Sequence, residues 1–114
     1  MPLQLHWFIP SHGDGREVTR AGSGAAAANI RRAPDIDYLL EVALAAERAG
    51  FAGALTPTGL YCEDAWLVAS ALAMRTTSLQ FMVALRPGSM SPVVAAQMAA
   101  TFQRLSGGRL LLNI

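Results

Sequence analysis

Apolar residues gather in four short runs along the chain: LQLHWFI at 3–9, GALTP at 53–57, LQFMVAL at 79–85 and RLLLNI at 109–114. Runs of this length and composition predict β-strands. Between them the apolar spacing changes to that of a helix. Ile36, Leu39, Leu40, Ala43 and Ala46 form one stripe, behind Asp35 as N-cap and ahead of Gly50 as the stop. A second helix is expected to open near Cys62, with Glu63 and Asp64 in its first turn, where the helix dipole favours acids. Trp66, Leu67, Ser70, Ala71 and Met74 would share one side of it. The third has Ser91 as N-cap and Pro92 at the first helical position. Its expected buried stripe is Val94, Met98, Thr101, Phe102 and Leu105, and Gly107-Gly108 end it.

The order is β-α-β-α-β-α-β, which calls for a parallel sheet with crossover helices. An open doubly wound sheet and a (β/α)₈ TIM barrel both satisfy it. The open sheet suits the length, yet no glycine-rich phosphate turn follows any strand; SHGDG after the first is not G-x-G-x-x-G. A whole barrel takes roughly 250 residues, so four strands make half of one. The final run, RLLLNI, reads as a buried parallel strand with no polar tail after it. The expectation is therefore a fragment: residues 1–114 as the N-terminal half of a barrel. One connection is long, at about 10–34. Its sequence from position 11, SHGDGREVTRAGSGAAAANIRRAP, lacks steady periodicity. It leaves the carboxyl end of a strand, the side on which barrel active sites are built. Residues 13–33 are expected to order weakly alone and to cover a bound ligand.

Composition narrows the classes. The chain is 53% hydrophobic and 15% charged, too apolar for disorder. Nine basic residues, all arginine, against eight acids give a formal net charge of +1, which offers no footprint for nucleic acid or an anionic membrane. MPLQLHWFIP has no basic n-region, and no apolar run reaches the length of a membrane span. A single cysteine forms no intrachain disulfide, so the expected compartment is the cytoplasm.

Four positions carry candidate chemistry. His12, just past the first strand, is either an imidazole over a pocket, able to donate a hydrogen bond or shuttle a proton, or a solvent-exposed loop residue. His6 lies mid-strand and is expected to be structural. Cys62 is either a thiol activated near a helix N-terminus or a small buried hydrophobe; no second cysteine or spaced histidine supports a metal site. Arg86 follows the third strand, placed to meet an anion or to lie on the surface. Asn113 is an amide in an apolar strand, which needs a ligand or a structural partner.

Taken together, WFIPSHGDG, TPTGLYCEDAW, LQFMVALRPGSMSP and ATFQRLSGGRLLLNI resemble, in order and spacing, the N-terminal part of flavin-dependent alkanesulfonate monooxygenases of the bacterial luciferase-like family. The resemblance spans nearly the whole chain apart from residues 16–33. It implies a (β/α)₈ barrel that uses reduced FMN (FMNH2), delivered by a separate NAD(P)H-dependent flavin reductase, and O2 to convert an alkanesulfonate into aldehyde and sulfite. It implies pocket-lining catalytic roles for His12 and Cys62, and cofactor contacts at the Ala84-Leu85 backbone, Thr58 and Asn113. It also implies a homo-oligomer. The family stretch T-G-R-S-C-E-D-A-W departs here, with Leu60-Tyr61 in place of Arg-Ser, which removes a cation and a hydroxyl. The family's sulfonate-binding arginines and most of its phosphate-holding groups fall beyond residue 114. Two other readings stand beside this one: a non-catalytic half-barrel that self-associates or binds flavin, and a family member using a deazaflavin or a sulfone.

Overall fold

The first strand, β1 (His6–Phe8), is followed by α1 (Ile36–Arg48), β2 (Gly53–Thr56), α2 (Ala65–Ala73), β3 (Gln80–Ala84), α3 (Pro92–Ser106) and β4 (Leu110–Asn113). The computed structural model describes residues 1–14 and 32–114. All the strands pair in parallel and in chain order, β1-β2-β3-β4. A sheet that grows steadily in one direction through right-handed crossovers keeps its helices on one face. This is the α/β arrangement expected from the sequence. Most of the long connection, residues 15–31, lies outside the described residues, and with it most of the expected cover.

The register sorts the side chains. Ala54, Phe81 and Leu110 align across three strands and are buried toward the helices. Phe81 meets Phe102 of α3 edge-on, with ring centroids 6.4 Å apart. The next row, Phe8, Leu55, Met82 and Leu111, points to the opposite face and is half-buried. That face is the one a closed barrel fills with layers of side chains.

Helix ends follow the local chemistry. The Asp35 carboxylate accepts the Tyr38 N–H, and Ser91 Oγ accepts that of Val94. Gly50 and Gly107 take the left-handed conformation that stops α1 and α3. The second helix corrects the expectation. It opens at Ala65, not near Cys62, because the Asp64 side chain leaves the helix to accept the Leu67 N–H. Asp64 is thus the cap, and Cys62 and Glu63 belong to the preceding turn.

The buried faces of α2 and α3 differ from their apolar stripes. In α2 the buried residues are Ala65, Trp66, Val68, Ala69, Leu72 and Ala73, while Leu67, Ser70, Ala71 and Met74 are exposed. Nearly every residue of AWLVASALA is apolar or small, so its periodicity does not select a face. In α3 Phe102 is buried and Met98 half-buried, but Val94, Thr101 and Leu105 are exposed. Leu67, Met74, Met98 and Leu105 instead line an apolar groove of about 350 Å³ between α2 and α3, on the outer side of the sheet.

Two polar anchors close the amino-terminal end of the sheet. Glu47, at the end of α1, receives the N–H groups of Thr77, Ser78 and Leu79 and the Ser78 hydroxyl on one oxygen, Oε1. The Arg109 guanidinium donates to the carbonyls of Ser106, Leu79 and Ala73 and to Thr76 Oγ1. Gly53 is required by close approach: a Cβ there would lie 2.8 Å from the Gln80 carbonyl and 2.9 Å from His6 Nδ1.

Candidate active site at the carboxyl ends of the strands

The chain turns tightly as it leaves β1. Ser11 N–H reaches back to the Ile9 carbonyl (2.8 Å), and Gly13 N–H to that of Pro10 (2.8 Å), with Gly13 at φ 96°. This folds Ser11 and His12 inward, leaving them only 0% and 7% exposed. His12 is therefore not the solvent-exposed loop residue of the alternative reading. Among the described residues neither its Nδ1 nor its Nε2 has a hydrogen-bond partner, and Ser11 Oγ has none. Buried polar groups are nearly always paired, so orphaned atoms of this kind require explanation. A histidine with both nitrogens free offers one donor and one acceptor in its neutral form.

The β2–α2 connection docks against this turn. Glu63 N–H donates to the Ser11 carbonyl at 2.9 Å, which brings the Cys62–Glu63 segment beside the His12 loop. Cys62 N–H closes a turn onto the Gly59 carbonyl (3.2 Å), and the thiol is free and half-buried. Its Sγ lies 3.3 Å from where a Gly59 Cβ would stand. Among the described residues no hydrogen bond joins the thiol to His12, so the two loops meet without forming a Cys-His pair. Leu60 and Tyr61, in the same loop, are exposed.

Thr58 stands beyond the end of β2, and its hydroxyl donates to the Ala84 carbonyl at 2.7 Å. Ala84 is half-buried at the end of β3 and aligns with Asn113 of β4. Leu85 N–H donates to the Asn113 carbonyl at 2.8 Å. Asn113 itself is exposed, so its side chain is not the buried amide that the apolar run predicts; it sits at the open end of the strand. Arg86 is exposed after β3. His12, Cys62, Thr58, Ala84, Leu85 and Asn113 thus all lie at the carboxyl ends of the parallel strands.

The neck of the long connection is tied as well. Arg32 N–H donates to Asp14 Oδ1 (2.9 Å), and Asp14 N–H to the Arg32 carbonyl (3.3 Å). The Arg32 guanidinium pairs with Glu41 at 2.8 Å and lies 4.2 Å from the centre of the Tyr38 ring. Neither this clamp nor the burial of Ser11 is signalled by the sequence. Both depend on segments distant along the chain coming together.

The sequence of residues 3–114 matches the family model of the luciferase-like monooxygenases. The chain belongs to the luciferase-like monooxygenase family. Among solved structures it is similar to the EDTA monooxygenase of Chelativorans sp. BNC1, with a TM-score of 0.74 and 19% identity. The match covers 97% of this chain and 29% of that one, so the chain spans under a third of its structural neighbour. The fold is that of the N-terminal part of a luciferase-like TIM barrel, in a flavin-dependent monooxygenase family. Among the described residues no helix is long and apolar enough to cross a membrane.

The residues fit a flavin in kind. The half-buried row of Phe8, Leu55, Met82 and Leu111 is an apolar wall, and Ala84 leaves the end of β3 with only a methyl group. The His12 nitrogens and the Ser11 hydroxyl, without partners among the described residues, are donors and acceptors of the kind that the polar edge of a flat heterocycle takes.

Proposed function

We infer that this chain forms the N-terminal half-barrel of an FMNH2-dependent, two-component monooxygenase that oxygenates an alkanesulfonate to aldehyde and sulfite. A separate NAD(P)H-dependent reductase supplies the reduced flavin, in the cytoplasm. The observation that carries this reading is His12, buried and without a hydrogen-bond partner among the described residues, beside the Cys62 loop at the strand ends where barrel enzymes place their chemistry. The ordered sequence segments support the sulfonate class. The outward apolar groove between α2 and α3 offers a surface for a second subunit, which supports a homo-oligomer.

Bound FMNH2 supplies the electrons that activate O2. The protein contributes position, exclusion of water and proton handling. His12 holds or moves a proton at one ring nitrogen while the other stays available as a hydrogen-bond partner. Cys62 lines the site and tunes it without acting as a nucleophile. The Ala84-Leu85 backbone would hold the ring, with Asn113 on the neighbouring strand.

The test is the full-length protein supplied with FMNH2, O2 and a series of alkanesulfonates, with sulfite and aldehyde measured together. Equimolar release is expected. Flavin oxidation without sulfite from any sulfonate overturns the substrate assignment, and the same assay with a sulfone or a reduced deazaflavin identifies the other chemistries.

A further inference from the structure

Two threonines of one segment pass their hydroxyls to the neighbouring strand. Thr56 is wholly buried, and its Oγ1 donates to the Met82 carbonyl at 3.2 Å. Thr58 is exposed, with water at hand, yet its Oγ1 donates to the Ala84 carbonyl at 2.7 Å. That is a short, well-formed O–H···O bond. The first bond stitches strand to strand within the sheet. The second ties a loop to the last residue of β3.

The acceptor is the informative part. The Ala84 carbonyl and the Leu85 N–H belong to one peptide unit. Thr58 takes its oxygen, and the Asn113 carbonyl takes its nitrogen at 2.8 Å. A peptide plane held at both polar atoms keeps one orientation, and Ala84 covers it with a single methyl. We propose that Thr58 is a positioning residue for the flavin ring, acting through the Ala84-Leu85 peptide rather than by touching the cofactor. The proposal rests on the flavin reading given above. Without the hydroxyl, water replaces Thr58 at the carbonyl, and the face offered to the ring is no longer single. Preorganisation of this kind lowers the ordering cost of binding.

The experiment is anaerobic titration of the full-length protein with FMNH2, followed by flavin absorbance and fluorescence. Thr58→Val keeps the shape and removes the donor; the expected result is a Kd raised about tenfold with a changed spectrum of the bound flavin. Thr58→Ser restores the donor and is expected to recover both tightness and spectrum. Thr56→Val is expected to lower the melting temperature while leaving Kd in place, which separates loss of a cross-strand bond from loss of the held peptide. Should Thr58→Val fail to fold, Thr58→Ala against Thr58→Ser makes the same comparison. Native-like binding and spectrum in Thr58→Val overturn the proposal, and so does a serine variant as weak as the valine one. A wild-type protein that takes up no FMNH2 removes the flavin reading itself, an outcome distinct from either of these.

Discussion

At the scale of single residues, a charge is governed by what is brought to it. Partial burial alone would raise the Glu47 carboxyl, but the N–H groups of Ser78, Leu79 and Thr77 and the Ser78 hydroxyl outweigh it. They lower the group to about 2 from an ordinary 4.5. The folded state therefore favours the ionised form. Its stabilisation is complete above the unfolded value and is lost as pH falls toward the folded one, by about 1 kcal/mol once solvent screening is discounted. Melting temperatures of the full-length protein and its Glu47→Gln variant should converge as pH falls through this window, and a constant gap would count against the assignment. Cys62 is tested by turnover. Cys62→Ala is expected to cut sulfite release about tenfold, roughly 1.4 kcal/mol in the barrier, with little change in melting temperature. Lost stability with unchanged turnover per folded molecule would make it a core thiol.

At the scale of elements, packing acts through close approach. β2 lies so near β3 and His6 that Gly53 has no room for a methyl group, and a backbone carbonyl at 2.8 Å cannot swing aside as a side-chain tip can. Gly53→Ala should destabilise the protein by about 1–3 kcal/mol, measured by urea unfolding, the size expected of overpacking. Arg109 ties the end of α2 and the start of β3 to β4 through a planar fork of donors. Lysine carries the charge but not the fork, so Arg109→Lys should still cost about 1–3 kcal/mol, because buried acceptors lose partners. Equal stability of the lysine variant would show that charge alone suffices.

At the scale of the whole molecule, β1 and β4 each have one strand neighbour among the described residues, and the inner row is only half-buried. Such edges recruit further strands. Expressed alone, the 114-residue chain is expected to self-associate in sedimentation, and Leu112→Lys on the β4 edge to reduce this. A folded, strictly monomeric 114-residue chain would show that the sheet tolerates its open edges.

The sequence by itself determined the element order, the parallel sheet and most helix ends, because strand runs, N-caps and terminal glycines are signals carried by a few adjacent residues. It also brought the candidate groups to one edge, since residues after successive parallel strands must emerge on the same side. Tertiary structure decided the rest. Which face α2 buries depended on the sheet beneath it, as its residues are apolar all round. Where α2 begins depended on how Asp64 turned its side chain, which left Cys62 in the loop. The burial of Ser11 and His12, the convergence on Glu47 and the bond from Thr58 to Ala84 each join groups far apart along the chain. Local spacing holds no record of such meetings; they exist only once the strands stand side by side.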